Sequence, residues 1–196
     1  MPEEKKLPMT REEAISLLES MPQTQQDMNH YLESEAIMKE LARKLGEDVE
    51  YWGFLGLLHD VDWALTKENI EEHGIKAEEI LREKGFSEDF IKIIQSHVYG
   101  HTSSFKDKKR EKKVEHALAS SETITGLIYA YALMRGKKIE DMEVKGLRKK
   151  FKDKSFAANC NRDIIKEIEL LGISLDEFFE LSINAMKKIK EEIGLS

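Results

Sequence analysis

The most apolar stretch of the chain runs from Tyr51 to Trp63. At helical pitch its apolar side chains point in nearly all directions, which predicts a helix that is buried on every side. Gly53, Gly56 and Asp60 share one stripe of this helix, where the absence of bulk allows a neighbouring helix to approach closely. The apolar run ends in His59-Asp60, so polar side chains are expected at the C-terminal turn of a central helix.

The rest of the chain shows helical periodicity bounded by capping signals, without strand-like alternation or an internal repeat. Capping boxes begin at Thr10 and at Ser174, and all 3 prolines lie within the first 22 residues. We therefore predict an all-α fold. Besides the central helix, the predicted helices span residues 10–20, 24–45, 74–84, 87–97, 112–134, 141–151, 161–171 and 174–192, with a polar connection at 62–72 and a lid-like or binding loop at 98–111.

Length and composition limit the class of protein. The 196 residues are enough for one domain, or for one domain with a small appendage. The helix pattern places a tail and short helix at 1–23, the main helical domain at 24–135, and at 136–196 a small helical extension that is expected to pack on it. The net charge of −7 argues against a general nucleic-acid surface, and no run reaches the roughly 18 apolar residues that a membrane span needs. The single cysteine, Cys160, is consistent with a reducing compartment. We expect a cytoplasmic protein without membrane or nucleic-acid partners. A homodimer is possible.

All six histidines lie in the first three-fifths of the chain. Neutral imidazole with carboxylate is the donor set of iron, manganese, zinc and similar divalent ions, whereas a single cysteine excludes a thiolate site. His30 shares a line with Ile37 and Leu41 on its predicted helix, which turns it inward. The candidate metal ligands on three separate helices are His30, His59, Asp60 and Glu122.

Each candidate also has a simpler interpretation. His30 fits a hydrogen-bonded core histidine, and the His59-Asp60 pair fits a helix cap. Glu122 lies on the apolar face of its predicted helix, where a lysine can pair with it in place of a metal. Glu115 lies on the same side of that helix and is an alternative to Glu122 as the metal ligand. The other histidines have interpretations of their own: a C-cap or surface position for His73, the end of a helix for His97, and the surface for His101 and His116.

Two basic segments, residues 106–113 and 145–154, contrast with the acidic chain as a whole. A solvated face is the default interpretation of each, but such clusters also bind the phosphate group of a substrate. The chain has no phosphate-binding glycine loop and no dinucleotide motif. Our candidates for contacts to a substrate phosphate are Lys149, Lys150 and Lys152.

The order of these residues resembles that of the HD superfamily of metal-dependent phosphohydrolases, in particular the small HDIG-type proteins. The resemblance covers about residues 24–135 and implies an all-α HD domain. The sequence departs from the family pattern at two places: Val61-Asp62 follows the His59-Asp60 pair where the family has Ile-Gly, and Glu122 stands where the family has an aspartate. The residues that carry the resemblance are His30, Gly-Leu-Leu-His-Asp-Val at 56–61, His-Gly-Ile-Lys-Ala-Glu-Glu-Ile-Leu from 73, His97 and Glu122.

The resemblance implies which side chains bind metal. For the first ion it implies His30, His59, Asp60 and Glu122. In the binuclear branch of the superfamily Asp60 would bridge two ions, and His73 and His97 would bind the second. The implied cofactor is a divalent transition metal such as iron or manganese, as one ion or two.

The function implied by the resemblance is hydrolysis of a nucleotide or another small phosphoester by a metal-activated water. Asp60 would hold the ion and orient the nucleophile, and Asp62 would act as a general acid or would only cap the helix. Two alternatives stay open: a di-iron oxygenase of the same superfamily, and a catalytically inactive, nucleotide-binding regulatory domain.

Overall fold

The computed structural model describes residues 6–196, and this range is helical with no strand, which confirms the all-α prediction. Short 3-10 turns lie at Ile70–Glu72, Ser96–Val98, Ser103–Phe105 and Glu167–Leu171. The α-helices within these residues are α1 (Arg11–Glu19), α2 (Gln25–Leu45), α3 (Val49–Leu58), α4 (Trp63–Thr66), α5 (Ile75–Glu83), α6 (Glu88–Gln95), α7 (Lys113–Met134), α8 (Val144–Lys152), α9 (Arg162–Lys166) and α10 (Leu175–Lys188).

Local capping signals explain where several helices begin and end. The predicted capping boxes are present at Thr10 and Ser174, and a third one, outside the predicted set, starts α2 at Thr24. Gly46 ends α2 in the left-handed conformation, with φ of 71°. These signals are local in sequence, and the observed bounds of α1 and α2 therefore lie within a residue or two of the predicted ones.

The central helix α3 is buried on every side, as its composition predicts. Every residue from Tyr51 to Leu58 is buried, and α3 packs against α2, α7, α6 and α1. The helix ends earlier than the apolar run, because a turn at residues 59–62 separates it from α4. His59 and Asp60 therefore lie in the turn that follows α3, where their side chains face the neighbouring helices.

Gly56 sets the distance between α3 and α2. A Cβ atom at this position would lie 2.5 Å from the carbonyl oxygen of Ser34 and 2.8 Å from the amide nitrogen of Glu35, both in the backbone of α2. At Gly53 a Cβ atom would meet only the flexible side chain of Lys39, at 2.5 Å from its Cε. The predicted close approach on the glycine stripe is therefore present, and only Gly56 is needed for backbone contact.

We expect Gly56→Ala to destabilise the protein by about 1–3 kcal/mol, because the added methyl group pushes α3 away from the backbone of α2. Gly53→Ala is the matched control, since it adds the same methyl group on the same helix, and Lys39 can move aside. Chemical denaturation of both variants measures the effect. Equal stability of the two variants would contradict the close approach of α2 and α3 at Gly56.

The C-terminal helices pack on the same core as the preceding ones. α10 lies against α2 and α8, and α9 with its following 3-10 turn lies against α7. The predicted helices at 141–151, 161–171 and 174–192 are shorter in the structure, and the second is divided between α9 and the 3-10 turn at Glu167–Leu171. The division at 23/24 and 135/136 stays a prediction. Within residues 6–196, none of the helices has the length and apolar character needed to cross a bilayer.

Candidate metal centre

Four histidines meet at the C-terminal end of α3, each brought there by a different element. His30 comes from the first turns of α2, and His59 from the residue after α3. His73 precedes α5, and His97 lies in the 3-10 turn that follows α6. His59, His73 and His97 are buried. For His73 this excludes the surface position that the sequence left open.

The four rings form two pairs with Asp60 between them. The Nε2 atoms of His30 and His59 are 3.0 Å apart, and those of His73 and His97 are also 3.0 Å apart. Oδ2 of Asp60 lies 3.9 Å from Nε2 of His30 and 3.6 Å from that of His59. Its Oδ1 lies 3.3 Å from Nε2 of His73 and 3.0 Å from that of His97. One carboxylate oxygen thus faces each histidine pair.

Hydrogen bonds to Nδ1 determine the tautomers of the first pair. Nδ1 of His59 donates to the carbonyl oxygen of Gly56 at 2.8 Å. Nδ1 of His30 lies 2.9 Å from Oγ1 of Thr125, whose hydroxyl donates to the carbonyl oxygen of Glu122 at 2.7 Å. Since that hydroxyl hydrogen is already used, His30 is the donor to Thr125. Both Nε2 atoms of this pair therefore present lone pairs to each other.

The second pair is held in the same way. Nδ1 of His97 donates to the carbonyl oxygen of Ile94 at 2.6 Å, and Nδ1 of His73 donates to Oδ1 of Asp62 at 2.9 Å. Burial lowers the pKa of His73, but Asp60 and Asp62 outweigh this effect and raise it to about 10. The two carboxylates thus favour a positive charge between His73 and His97, supplied by a proton or by a metal ion.

Glu122 completes the first group. One ligand atom each from His30, His59 and Glu122 lies within 4.8 Å of the others, and the same holds for Asp60, His73 and His97. Two imidazole nitrogens with facing lone pairs repel each other unless a cation lies between them, so the donor atoms fit a metal ion at each pair. In each group the third ligand is a carboxylate: Glu122 in the group of His30 and His59, and Asp60 in the group of His73 and His97.

Burial is the largest cause of the pKa shifts in the first group of ligands. Burial lowers the pKa of His59 to about 3 and also lowers that of His30, so both rings are neutral ligands at physiological pH. Burial raises the pKa of Asp60, but the adjacent His59, His73 and His97 outweigh it and hold the carboxyl well below its usual range. Burial also raises the pKa of Glu122 to about 7, and a bound cation would lower it again.

Comparison with models of protein families matches residues 28–144 to the HD domain. The match covers more than half of the chain and includes all six residues of the two ligand groups. The chain belongs to the HD domain family. HD domains bind divalent metals and are generally hydrolases, which agrees with the donor set described above. No curated protein and no solved structure matches the chain significantly.

Asp62 has a supporting position in this HD domain. Its side chain is fully buried. Besides Nδ1 of His73, it accepts hydrogen bonds from the backbone nitrogens of Gly74 at 2.8 Å and Ala77 at 3.0 Å. The carboxylate therefore caps the start of α5 and orients His73. Of the two roles that the sequence left open for Asp62, this geometry favours the capping role over that of a general acid.

Two cavities lie beside the ligands of the HD domain. One has a volume of about 450 Å³ and the other about 290 Å³, and His30, Thr125, Gly126 and Asn159 line both. Burial raises the pKa of Glu33, in the larger cavity, well above the usual range of a carboxyl group. The larger cavity is also lined by Gln26, Asp27, Asn29, Tyr31, Glu33, Asp60, Trp63 and Tyr129, and the smaller one by His101, Glu122, Thr123, Cys160, Asn161 and Ile164.

The structure does not bring the predicted phosphate-binding lysines to the cavities of the HD domain. α8 buries Leu147 and Phe151, which leaves Lys149 and Lys152 exposed. The Nζ atom of Lys150 lies 4.7 Å from the centre of the Phe156 ring. None of these three lysines is among the residues that line the two cavities. Periodicity alone did not show which side of α8 faces the core.

The remaining candidates of the sequence analysis have other partners. Glu115 accepts hydrogen bonds from the backbone nitrogens of Glu111 and Lys112, so it caps α7 and does not compete with Glu122. His101 is exposed, as predicted, at the edge of the smaller cavity. The prediction for His116 is wrong: it is partly buried, and its Nδ1 lies 2.6 Å from Oε2 of Glu167. Asn159 and Thr125 had no motif or spacing that identified them in the sequence.

Proposed function

We propose that the chain is a two-metal phosphohydrolase acting on a small phosphoester, with a nucleotide as one candidate substrate. The observation that supports this proposal is the position of Asp60, whose two carboxylate oxygens each face one histidine pair. A carboxylate in this position can bridge two ions. Two-metal sites are suited to in-line displacement at phosphorus, because they stabilise both the attacking and the leaving oxygen.

The side chains have separate tasks in this proposal. His30, His59 and Glu122 would hold one ion, His73 and His97 would hold the other, and Asp60 would join the two. When bound, the ions lower the pKa of a coordinated water and polarise the phosphoryl oxygens. Thr125 and Asp62 keep Nε2 of His30 and of His73 directed at the site, through hydrogen bonds to Nδ1.

The charges at the site determine how a phosphate group would be recognised. No lysine or arginine is among the residues that line the two cavities. Two divalent ions with Asp60 and Glu122 as anionic ligands keep about two positive charges, which matches the charge of a phosphate monoester near neutral pH. We therefore propose that the ions, rather than Lys149, Lys150 and Lys152, compensate the charge of the substrate.

Phosphate release from a panel of esters tests this proposal. The protein is loaded with Mn²⁺, or with Fe²⁺ under anaerobic conditions, and incubated with nucleotides, sugar phosphates and p-nitrophenyl phosphate. We expect release that a chelator abolishes and added metal restores. If none of the esters in the panel releases phosphate, the proposal is contradicted. Oxygen consumption by the iron form would then favour the di-iron oxygenase, and nucleotide binding without turnover would favour the regulatory domain.

A further inference from the structure

Residues 153–161 connect α8 to α9, and the last three of them line the two cavities. Asn159 lines both cavities, and Cys160 and Asn161 line the smaller one. Asn159 is exposed, and its side-chain amide makes no hydrogen bond to the described part of the chain, residues 6–196. Its donor and acceptor groups are thus available to a molecule bound next to the metal ligands. We call this segment loop 153–161.

Arg162 holds the loop in place through the backbone. Its guanidinium group donates hydrogen bonds to the carbonyl oxygens of Ala157 and Cys160, both at 2.6 Å, and to that of Phe156. A further hydrogen bond, of 3.3 Å, reaches the carbonyl oxygen of Asp153. One side chain therefore binds both ends and the middle of the loop, and its planar fork of donors is suited to this task.

The backbone of the loop shows that its shape is specifically maintained. Ala157 has φ of 44°, in the left-handed region that residues with a side chain seldom adopt. Such a conformation persists only where the surroundings enforce it, and the hydrogen bond from Arg162 to the carbonyl oxygen of Ala157 is part of that enforcement. Two residues further along the chain, Asn159 begins the part of the loop that lines the cavities.

Gly126 on α7 makes room for the same loop. A Cβ atom at Gly126 would lie 2.9 Å from Sγ of Cys160. Glycine in the interior of a helix costs about 1 kcal/mol relative to alanine, so its presence in α7 has a reason beyond helix formation. Gly126 lines both cavities. Its missing side chain therefore allows Cys160 of the loop to approach α7 beside the metal ligands.

We propose that loop 153–161 is the substrate-recognition element of the metal centre, with Asn159 as a substrate contact and Arg162 as a positioning residue. The inference rests on the proposed function and adds that the extension beyond the HD domain contributes to the site. Asn159 lines both cavities, and Tyr129 lines the larger one. They carry no charge, so they recognise the polar organic part of a phosphomonoester while the ions hold its phosphate group.

Kinetics of two pairs of variants test the inference with the metal-loaded protein and the phosphomonoester that it hydrolyses best. Asn159→Ala is expected to raise KM roughly 3- to 10-fold, the effect of one lost hydrogen bond between uncharged groups, with unchanged metal content. Asn184→Ala, at an exposed position on α10, is its control. Arg162→Lys is expected to raise KM and to speed amide hydrogen exchange in loop 153–161, whereas Arg148→Ala, which breaks a surface ion pair with Asp176, does neither.

Alkylation of Cys160, the single cysteine, measures the binding of an ester independently of its hydrolysis. The esters of the phosphate-release panel are expected to slow the reaction of Cys160 with iodoacetamide several-fold in the wild type and less in Asn159→Ala. Normal KM in Asn159→Ala, with hydrolysis intact, overturns this inference and leaves the proposed function standing. If the wild type hydrolyses no ester, the proposed function fails, and protection of Cys160 decides the inference: protection that Asn159→Ala weakens supports it, and lack of protection overturns it.

Discussion

Asp60→Asn is expected to reduce phosphohydrolase activity by about 10²–10³-fold, a loss of several kcal/mol of transition-state stabilisation. The amide has one acceptor oxygen in place of two and no charge, so it cannot bridge two ions. Its NH₂ group would instead face one of the two histidine pairs, whose Nε2 atoms lie 3.0–3.9 Å from the carboxylate oxygens. We expect the metal content, measured by elemental analysis after dialysis, to fall together with the activity.

Asp89→Asn is the matched control for this substitution. Asp89 is exposed on α6, where it pairs with Lys112, and its replacement removes the same charge far from the histidines. Circular dichroism should show native helix content in both variants, because the buried faces of the helices remain intact. An Asp60→Asn protein that keeps its metal and its activity would contradict the bridging role of Asp60.

Asp62→Ala and Thr125→Val are each expected to weaken the binding of a different metal ion. Asp62 orients His73, and Thr125 orients His30, so each substitution removes the acceptor for Nδ1 of one histidine. Loss of such a partner typically lowers metal affinity about 10- to 100-fold. Asp62→Ala also leaves the backbone nitrogens of Gly74 and Ala77 without an acceptor, which should cost on the order of 3 kcal/mol of stability.

Calorimetric titration with Mn²⁺ separates the two effects. The wild type should bind in two steps, and each variant should lose affinity mainly in one of them. Combining the substitutions should weaken both steps. Thr125→Val keeps the shape of the buried side chain, so its stability should change less than that of Asp62→Ala. If each single variant lost affinity equally in both binding steps, the assignment of Asp62 and Thr125 to separate metal sites would be contradicted.

The sequence was sufficient for the features that depend on local pattern. The apolar run at Tyr51–Leu58 predicted a buried central helix, because a helix with apolar residues on all sides has no solvent face. The absence of a side chain at Gly56 predicted close helix packing, and the backbone of Ser34 lies at that contact. The capping box at Ser174 likewise located the start of α10. All of these signals extend over fewer than about fifteen residues.

The remaining features depend on contacts between distant segments. The burial of His73 follows from its hydrogen bond to Asp62 and its contact with His97, which lies 24 residues further along the chain. The position of Asn159 depends on how Arg162 folds the loop before α9, and no periodicity encodes that shape. The lysines of α8 were assigned from charge alone, whereas the burial of Leu147 and Phe151 determines where they point.

Anomalous X-ray scattering from crystals of the Mn²⁺- or Fe²⁺-loaded protein tests the two-metal site most directly. The proposed function predicts two peaks, one on each side of Asp60, about 3.5–4 Å apart as is typical of two-metal sites. Each peak should lie about 2.0–2.3 Å from the Nε2 atoms of its own histidine pair, His30 with His59 and His73 with His97. A single peak, or peaks that these four nitrogens do not bind, would contradict a two-metal site bridged by Asp60.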